Sequence, residues 1–378
     1  MTDLSTDAYR SPLLSRPGAV AGSGPDAGVA FHLGDPVHEQ RALERGQAVV
    51  DLSHLGVVTV SGPDRISWLT TLSSQQLTGM TPGTSTELLL LAVHGQIEHA
   101  VAVQDDGTRT WLITEREDVE PLRAFLDRMR FMLRVEVTVE DQVAVLGTAA
   151  GGWQYLPAEP SVLTWNDPWP RTGPGGTTYG PPDAEHPGID IHRALTLVRR
   201  ERLTDAVEGF LATAGPRARV AGTWAWEALR VEAWRPRFGC EVDERALPHE
   251  LDWLRTGVHL EKGCYRGQET VARVINLGRP PRRLVMLHLD GSEHLMPEAG
   301  AEVSDGRRVV GRVTSAVRHA ELGPVALALV KRSVPAGTTL DVDGVAAAQE
   351  IIVPPDGVSA ASPAERPGAE LRRRAPRG

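Results

Sequence analysis

The sequence predicts an α+β fold that ends in a small β-barrel. Three features carry this expectation: a strand, helix and hairpin in that order near the start, two amphipathic helices separated by short strands in the middle, and a run of short strands after about Arg279. Val57 to Val60 reads as a strand stopped by Ser61-Gly62-Pro63, after which Asp64 begins a helix presenting Trp68, Leu69 and Leu72. Glu87 to Val93 and His99 to Gln104 pair as a hairpin across His94-Gly95-Gln96. A helix capped by Asp118 carries Leu122, Phe125, Leu126 and Met129 on one side, with Pro121 in its first turn. Strands follow around Arg134 to Val139 and Val143 to Leu146, then a Gly-, Pro- and Trp-rich stretch from Gly151 to Pro187 that reads as loop. A helix from Asp205 buries Val207, Phe210, Leu211 and Ala214, and another spans Trp224 to Trp234. Helices and strands in this order suggest a ferredoxin-like unit over about 112–215. Short strands at 284–289, 309–317, 325–330, 340–342 and 351–353 complete the barrel.

Composition narrows the function classes. A formal charge of −9 and a pI near 5.8 argue against a general polyanion-binding surface, so no specific nucleic acid is expected and an anionic ligand must meet a local basic patch. Two cysteines, Cys240 and Cys264, cannot build a disulfide framework, and no Cys/His cluster suggests a metal site. That usage fits a reducing cytoplasm. No run of eighteen apolar residues is available to span a membrane, and the first residues lack the pattern of a signal peptide. Residues 1–30 and 356–378 read as disordered tails, the second basic, leaving a region over 31–278 and the barrel over 279–355.

The stretch Lys262-Gly263-Cys264-Tyr265-Arg266-Gly267-Gln268-Glu269-Thr270-Val271-Ala272-Arg273 is the most informative in the chain. Of the 40 lysines and arginines only Lys262 and Lys331 are lysine, and the chain has 2 Cys and 4 Tyr, so three rare residue types meet within four positions. A compact ammonium kept in an arginine-writing chain points to a small-ligand role. Gly263 and Gly267 allow close backbone approach. Gln268 and Glu269 supply the donor and acceptor set that a heteroaromatic edge such as a pterin's requires, Tyr265 a flat face, and Lys262, Arg266 and Arg273 attraction for a carboxylated tail. Cys264, between Lys262 and Arg266, is the candidate reactive thiol, and Lys262 its companion. The plainer reading of the stretch is a structural Gly-rich turn.

Arg230 and Glu232 lie on the helix before this stretch and, at i and i+2, must serve different partners. Cys240 reads as a buried small hydrophobe, and His99 and His249 as satisfied structural groups. Asp51, Ser53 and His54 are too close in sequence to form a hydrolase relay.

The motif from Lys262 to Arg273 resembles that of the YgfZ family, folate-binding relatives of the glycine cleavage T-protein (GcvT, the aminomethyltransferase). The likeness continues through Gly46 to Gly56, Val60 to Asp64, Leu229 to Ala233, Arg237 to Gly239, Leu247 to Glu250 and Gly311 to Ala316. It implies a three-domain ring of the GcvT type, with a ferredoxin-like middle unit and a C-terminal β-barrel. It implies tetrahydrofolate or another reduced folate in a central channel, with Lys262 and Cys264 at its mouth or wall. It also implies a cytoplasmic role in assembly or repair of iron–sulfur clusters, with client or assembly proteins as partners, and through them support of tRNA modification. Tyr265, Gly267, Gln268, Glu269, Arg273, Arg230 and Glu232 are the implied folate contacts. The Gly-Tyr-Thr-Gly-Glu motif of the aminomethyltransferases is missing, and Asp190 is the substitute carboxylate near its place. Where those enzymes carry an acid after the hairpin glycines, this chain has Gly95-Gln96-Ile97-Glu98-His99-Ala100. Glycine-cleavage chemistry is therefore not expected. A folate-dependent one-carbon transferase using Glu98 or Asp190, and a scaffold without folate, are the alternatives.

Overall fold

A computed structural model describes residues 9–292 and 295–364. In chain order it contains β1 (Val20–Ala21), β2 (Ala30–His32), α1 (Pro36–Glu44), β3 (Ala48–Asp51), β4 (Gly56–Ser61), α2 (Arg65–Leu72), β5 (Ser85–Leu91), β6 (Ile97–Asp105) and β7 (Arg109–Thr114). Next come α3 (Val119–Met129), β8 (Glu136–Val139), β9 (Val143–Ala149), β10 (Ser161–Asn166), β11 (Arg193–Arg199), α4 (Leu203–Thr213), β12 (Arg219–Ala221), α5 (Thr223–Glu232), α6 (Phe238–Glu241) and α7 (Gln268–Asn276). The strands β13 (Arg282–Leu289), β14 (Glu302–Ser304), β15 (Val309–His319), β16 (Gly323–Lys331), β17 (Leu340–Val342) and β18 (Val345–Ile351) close the chain.

Two five-stranded sheets and one closed barrel organise these elements. The first sheet has the order β5-β6-β7-β4-β8, the second β10-β11-β9-β3-β12, and the barrel runs β13-β16-β15-β14-β17-β18. This is the expected α+β class. Each sheet has its own helical cover, because each needs one face sealed from water. Leu122, Phe125 and Leu126 of α3 pack with Val58, Leu88 and Leu112 under the first sheet, and Val207 and Phe210 of α4 pack with Val49, Ala144 and Leu146 under the second.

The unit expected over 112–215 does not exist as one body. β7, α3 and β8 belong to the first sheet, while β9, β10, β11 and α4 belong to the second. Helix periodicity marks an amphipathic segment without saying which sheet receives it, so local pattern joined elements that tertiary pairing separates. The stretch read as loop contains β10, whose Trp165 is buried, and the last barrel strand lies at Val345–Ile351 rather than 351–353.

The N-terminal segment also departs from expectation. Residues 9–30 are packed: Ser11 Oγ donates to Asp51, Gly22 N donates to Val29 O at 2.8 Å, and Arg237 Nη1 donates to Asp26 Oδ1 at 2.8 Å. A polar, Gly- and Pro-rich composition hid a segment held by side-chain bonds rather than by a hydrophobic stripe. The expected C-terminal tail is likewise anchored at its start, where Ala360 N donates to Thr178 O at 2.9 Å. Its remainder from residue 365, and residues 1–8, lie outside the described residues. No described helix is long and apolar enough to cross a membrane.

Deleting residues 1–30 removes the Asp26 partner of a buried guanidinium. Loss of such a partner costs roughly 3 kcal/mol or more. The truncated protein is expected to show a clearly lowered urea midpoint; an unchanged midpoint would restore the picture of a solvated tail.

Candidate functional site

Where the two sheets face α5 and the segment after it, a cavity of about 110 Å³ opens. Its walls include Trp165, Trp226 and Trp253, with Ala100 and Ala102 of β6 on one side. Four guanidinium groups meet there. Arg235 lies between Trp169 and Trp253, 5.3 and 5.6 Å from the ring centroids, donates to Glu87 Oε2 at 2.5 Å, and reaches Asp167 Oδ2 at 3.2 Å. Arg237 donates to Glu115 and Asp26, each at 2.8 Å, and lies 3.4 Å from Glu227 Oε1. Arg230 donates to Glu227 at 2.8 Å, Glu241 at 2.9 Å, Ser315 Oγ at 2.5 Å and the Arg235 carbonyl at 2.8 Å. Arg193 lies over the Trp226 ring at 4.2 Å and has Asp167 at 3.6 Å.

The pairing in this cavity is incomplete. Arg193 Nε and Nη1 and Arg235 Nη1 are buried without a hydrogen-bond partner, and Glu227 Oε1 accepts no hydrogen bond. Burial pulls the Arg193 guanidinium down to about 10, with Asp167 opposing the shift. Unpaired buried donors cost about 1–3 kcal/mol each, and they cluster here. The arrangement suits a flat ligand that presents an acceptor edge to Arg193 and Arg235 and a donor edge to Glu227.

Of the ten residues singled out from sequence, Arg230 lines this cavity and the others do not. The 262–273 stretch packs on the outside of the β5–β6 hairpin. Lys262 Nζ donates to the carbonyls of Thr70 and Ser73 at the end of α2, and sits 4.9 Å from the Tyr265 ring centroid. Burial lowers its pKa to about 8. Tyr265 is itself buried, its face taken by Lys262. Cys264 is exposed. Gly267 has φ +85°, and a Cβ there would lie 2.6 Å from Ala92 O, which explains the glycine. Gln268 opens α7, a helix that the loop reading missed, although Val271 and Ile275 at i and i+4 are its buried side. Glu269 and Arg273 pair with each other at 2.5 Å on the exposed side.

Glu232 and Asp190 come together in a different cleft, beside Glu44 and His319. Glu44, Glu232 and His319 present ligand atoms within 4.8 Å of one another. His319 Nδ1 accepts from the Glu321 and Leu322 amides at 3.2 and 3.0 Å, while its Nε2 faces Glu232 at 3.0 Å and the Gln40 amide nitrogen at 2.6 Å. Glu98 is absent from the central cavity because a bulge in β6 shifts the register there, and its carboxylate pairs with Arg266 at 2.7 Å. Cys240 is half-buried, and burial followed by the Glu241 charge pushes its thiol up to about 12. The sequence reading missed Glu227, Arg193 and Arg235. The i, i+3 spacing of Glu227 and Arg230 was the available signal.

The comparisons with known proteins fit this geometry. Residues 282–354 match the model of the glycine cleavage T-protein C-terminal barrel domain. A protein of Klebsiella pneumoniae named tRNA-modifying protein YgfZ is 27% identical over 288 residues, covering 71% of this chain and 81% of the relative. A chloroplastic protein of Arabidopsis thaliana named as a transferase is 26% identical over 296 residues, 72% of this chain but 62% of the relative's length. The crystal structure of aminomethyltransferase T from Bartonella henselae superimposes with a TM-score of 0.72 at 18% identity, covering 90% of this chain and 94% of that one. The barrel match, the relatives and the shared fold support a YgfZ/GcvT-like family for the chain. The fold is of the three-part GcvT type: two sheet systems, which with α5 and the segment after it wall the central cavity, and a barrel beside them.

Two buried histidines make stability depend on pH. Burial lowers His249 to about 4, the bond to Val271 O opposing, and His186 to about 3, with Arg255 adding to the effect. The unfolded chain takes up these protons near pH 6.5 and the folded chain does not, so stability is full above about pH 6.5 and falls as the pH drops toward about 4. His249→Gln keeps a donor for Val271 O and is expected to flatten part of that slope in urea melts. Equal slopes in variant and parent would remove His249 from the account.

Proposed function

We propose that this family member binds a reduced folate, tetrahydrofolate in the first place, in the central cavity, and in that state assists assembly or repair of iron–sulfur clusters in cytoplasmic client enzymes. The observation that carries the reading is the set of polar atoms without a hydrogen bond in an aromatic-walled cavity: Arg193 Nε and Nη1, Arg235 Nη1 and Glu227 Oε1. A pterin edge carries an amino group and a ring N–H that Glu227 Oε1 would accept, next to a carbonyl for the guanidinium donors. Trp226 and Trp253 supply apolar walls for the ring. Bound there, a reduced folate would supply a one-carbon-carrying ring nitrogen. On the β6 wall beside it stand Ala100 and Ala102, which can neither hold nor move a proton. That favours a binding and assisting role over aminomethyl transfer. In this reading the Lys262 to Arg273 stretch is a surface for client or assembly proteins, with Cys264 its exposed thiol. Lys262 fixes that surface to α2.

Calorimetric titration with tetrahydrofolate tests the reading. Glu227→Gln and Arg193→Met are expected to weaken binding by about tenfold or more, in line with about 1.5–3 kcal/mol for a hydrogen bond to a charged group. Cys264→Ala should leave folate affinity unchanged while lowering iron–sulfur enzyme activity in a deletion strain. No binding by the parent protein would shift the assignment to a scaffold. Binding that survives both cavity substitutions would move the ligand elsewhere.

A further inference from the structure

His99 stands on β6 beside the bulge, and its ring helps line an open cleft. Nδ1 of His99 lies 2.6 Å from Asp118 Oδ1, and Asp118 Oδ2 accepts from Thr114 Oγ1 at 2.9 Å. All three residues are buried. Asp118 precedes α3, where it was expected to cap the helix, yet it makes no side-chain cap bond: its carboxylate is given to the histidine instead.

The chemistry of that contact fixes the ring. An ionised carboxylate only accepts, so Nδ1 carries the proton and Nε2 of the neutral ring keeps its lone pair. Nε2 has no hydrogen-bond partner among the described residues, nor is it among the sealed, unpaired atoms. Asp118 does not line the cleft, so Nε2 is the ring nitrogen left for whatever enters it. This carboxylate-held imidazole is the arrangement that proteins use to present a proton acceptor. Phe125, 5.5 Å from the His99 ring, and Pro121 supply apolar wall. Arg128, exposed at the rim, stacks 5.6 Å from the Phe125 centroid and forms no ion pair among the described residues. Glu98, by contrast, is already held by Arg266.

We propose that this cleft is a second ligand site, for a small carboxylate that also carries an O–H or N–H donor. Arg128 receives the carboxylate, and His99 Nε2 accepts the hydrogen bond from the donor. No residue that lines this cleft also lines the central cavity, so the site is tested apart from the folate reading.

Long-range 1H–15N correlation spectra of the full chain with 15N-labelled histidine test it, with His99→Gln assigning the signal. His99 is expected to show the Nδ1–H tautomer, and its Nε2 resonance to shift on adding millimolar glycolate or sarcosine. Whichever probe acts distinguishes an O–H from an N–H donor. Arg128→Ala, on an exposed position of α3, is expected to raise the half-saturating concentration by about tenfold, the scale of one charge-assisted contact. An Nε2–H tautomer, silence toward both probes, or a response unchanged in Arg128→Ala would each overturn the proposal.

Discussion

The buried Arg230 guanidinium is the interaction on which the arrangement of the parts depends. It grows from α5, yet it is answered by Glu227 one turn earlier, by Glu241 of α6, by the Arg235 carbonyl and by Ser315 on β15 of the barrel. Glu241 in turn accepts from Thr314 and Ser315. A charge this deep is tolerated only because every neighbour is committed to it, and removing one partner leaves another stranded. The barrel therefore joins the rest of the chain through a polar network as well as through apolar contact. Such a network fixes orientation, because hydrogen bonds are directional where hydrophobic contact is not.

The same segment that anchors the barrel also builds the cavity. Arg235 and Arg237 follow α5 in sequence and turn into the space between the two sheets, where Glu87, Asp167, Glu115 and Asp26 meet them. These acids come from four different stretches of chain, the N-terminal segment among them. The cavity's charge is nearly balanced by construction. The atoms left without a hydrogen bond, on Arg193, Arg235 and Glu227, are few and lie together.

The division of labour along the 262–273 stretch has a physical basis. An ammonium on a flexible stem can reach two carbonyls at the end of α2, which a planar guanidinium would not fit as compactly, so the rare lysine is explained by a helix end. Gly267 lets the stretch press against the hairpin at Ala92 and Gly95. Both features hold the exposed Cys264 at a defined place on the surface. Rarity in the composition singled out the stretch; it could not say whether the stretch faces a ligand or a partner.

The class of fold, the terminal barrel and most amphipathic elements were legible in the sequence, because they rest on local periodicity: Leu122, Phe125 and Leu126, or Val207 and Phe210, announce their buried side at helical spacing. The motif from Lys262 to Arg273 likewise carried the family. Tertiary structure alone decided which sheet each helix covers, that residues 9–30 are part of the folded body, and that the cavity belongs to Arg193, Arg235 and Glu227. Those facts depend on pairings between residues far apart in the chain, such as Arg237 with Asp26 and Arg235 with Glu87, and such pairings leave no periodic trace in a sequence.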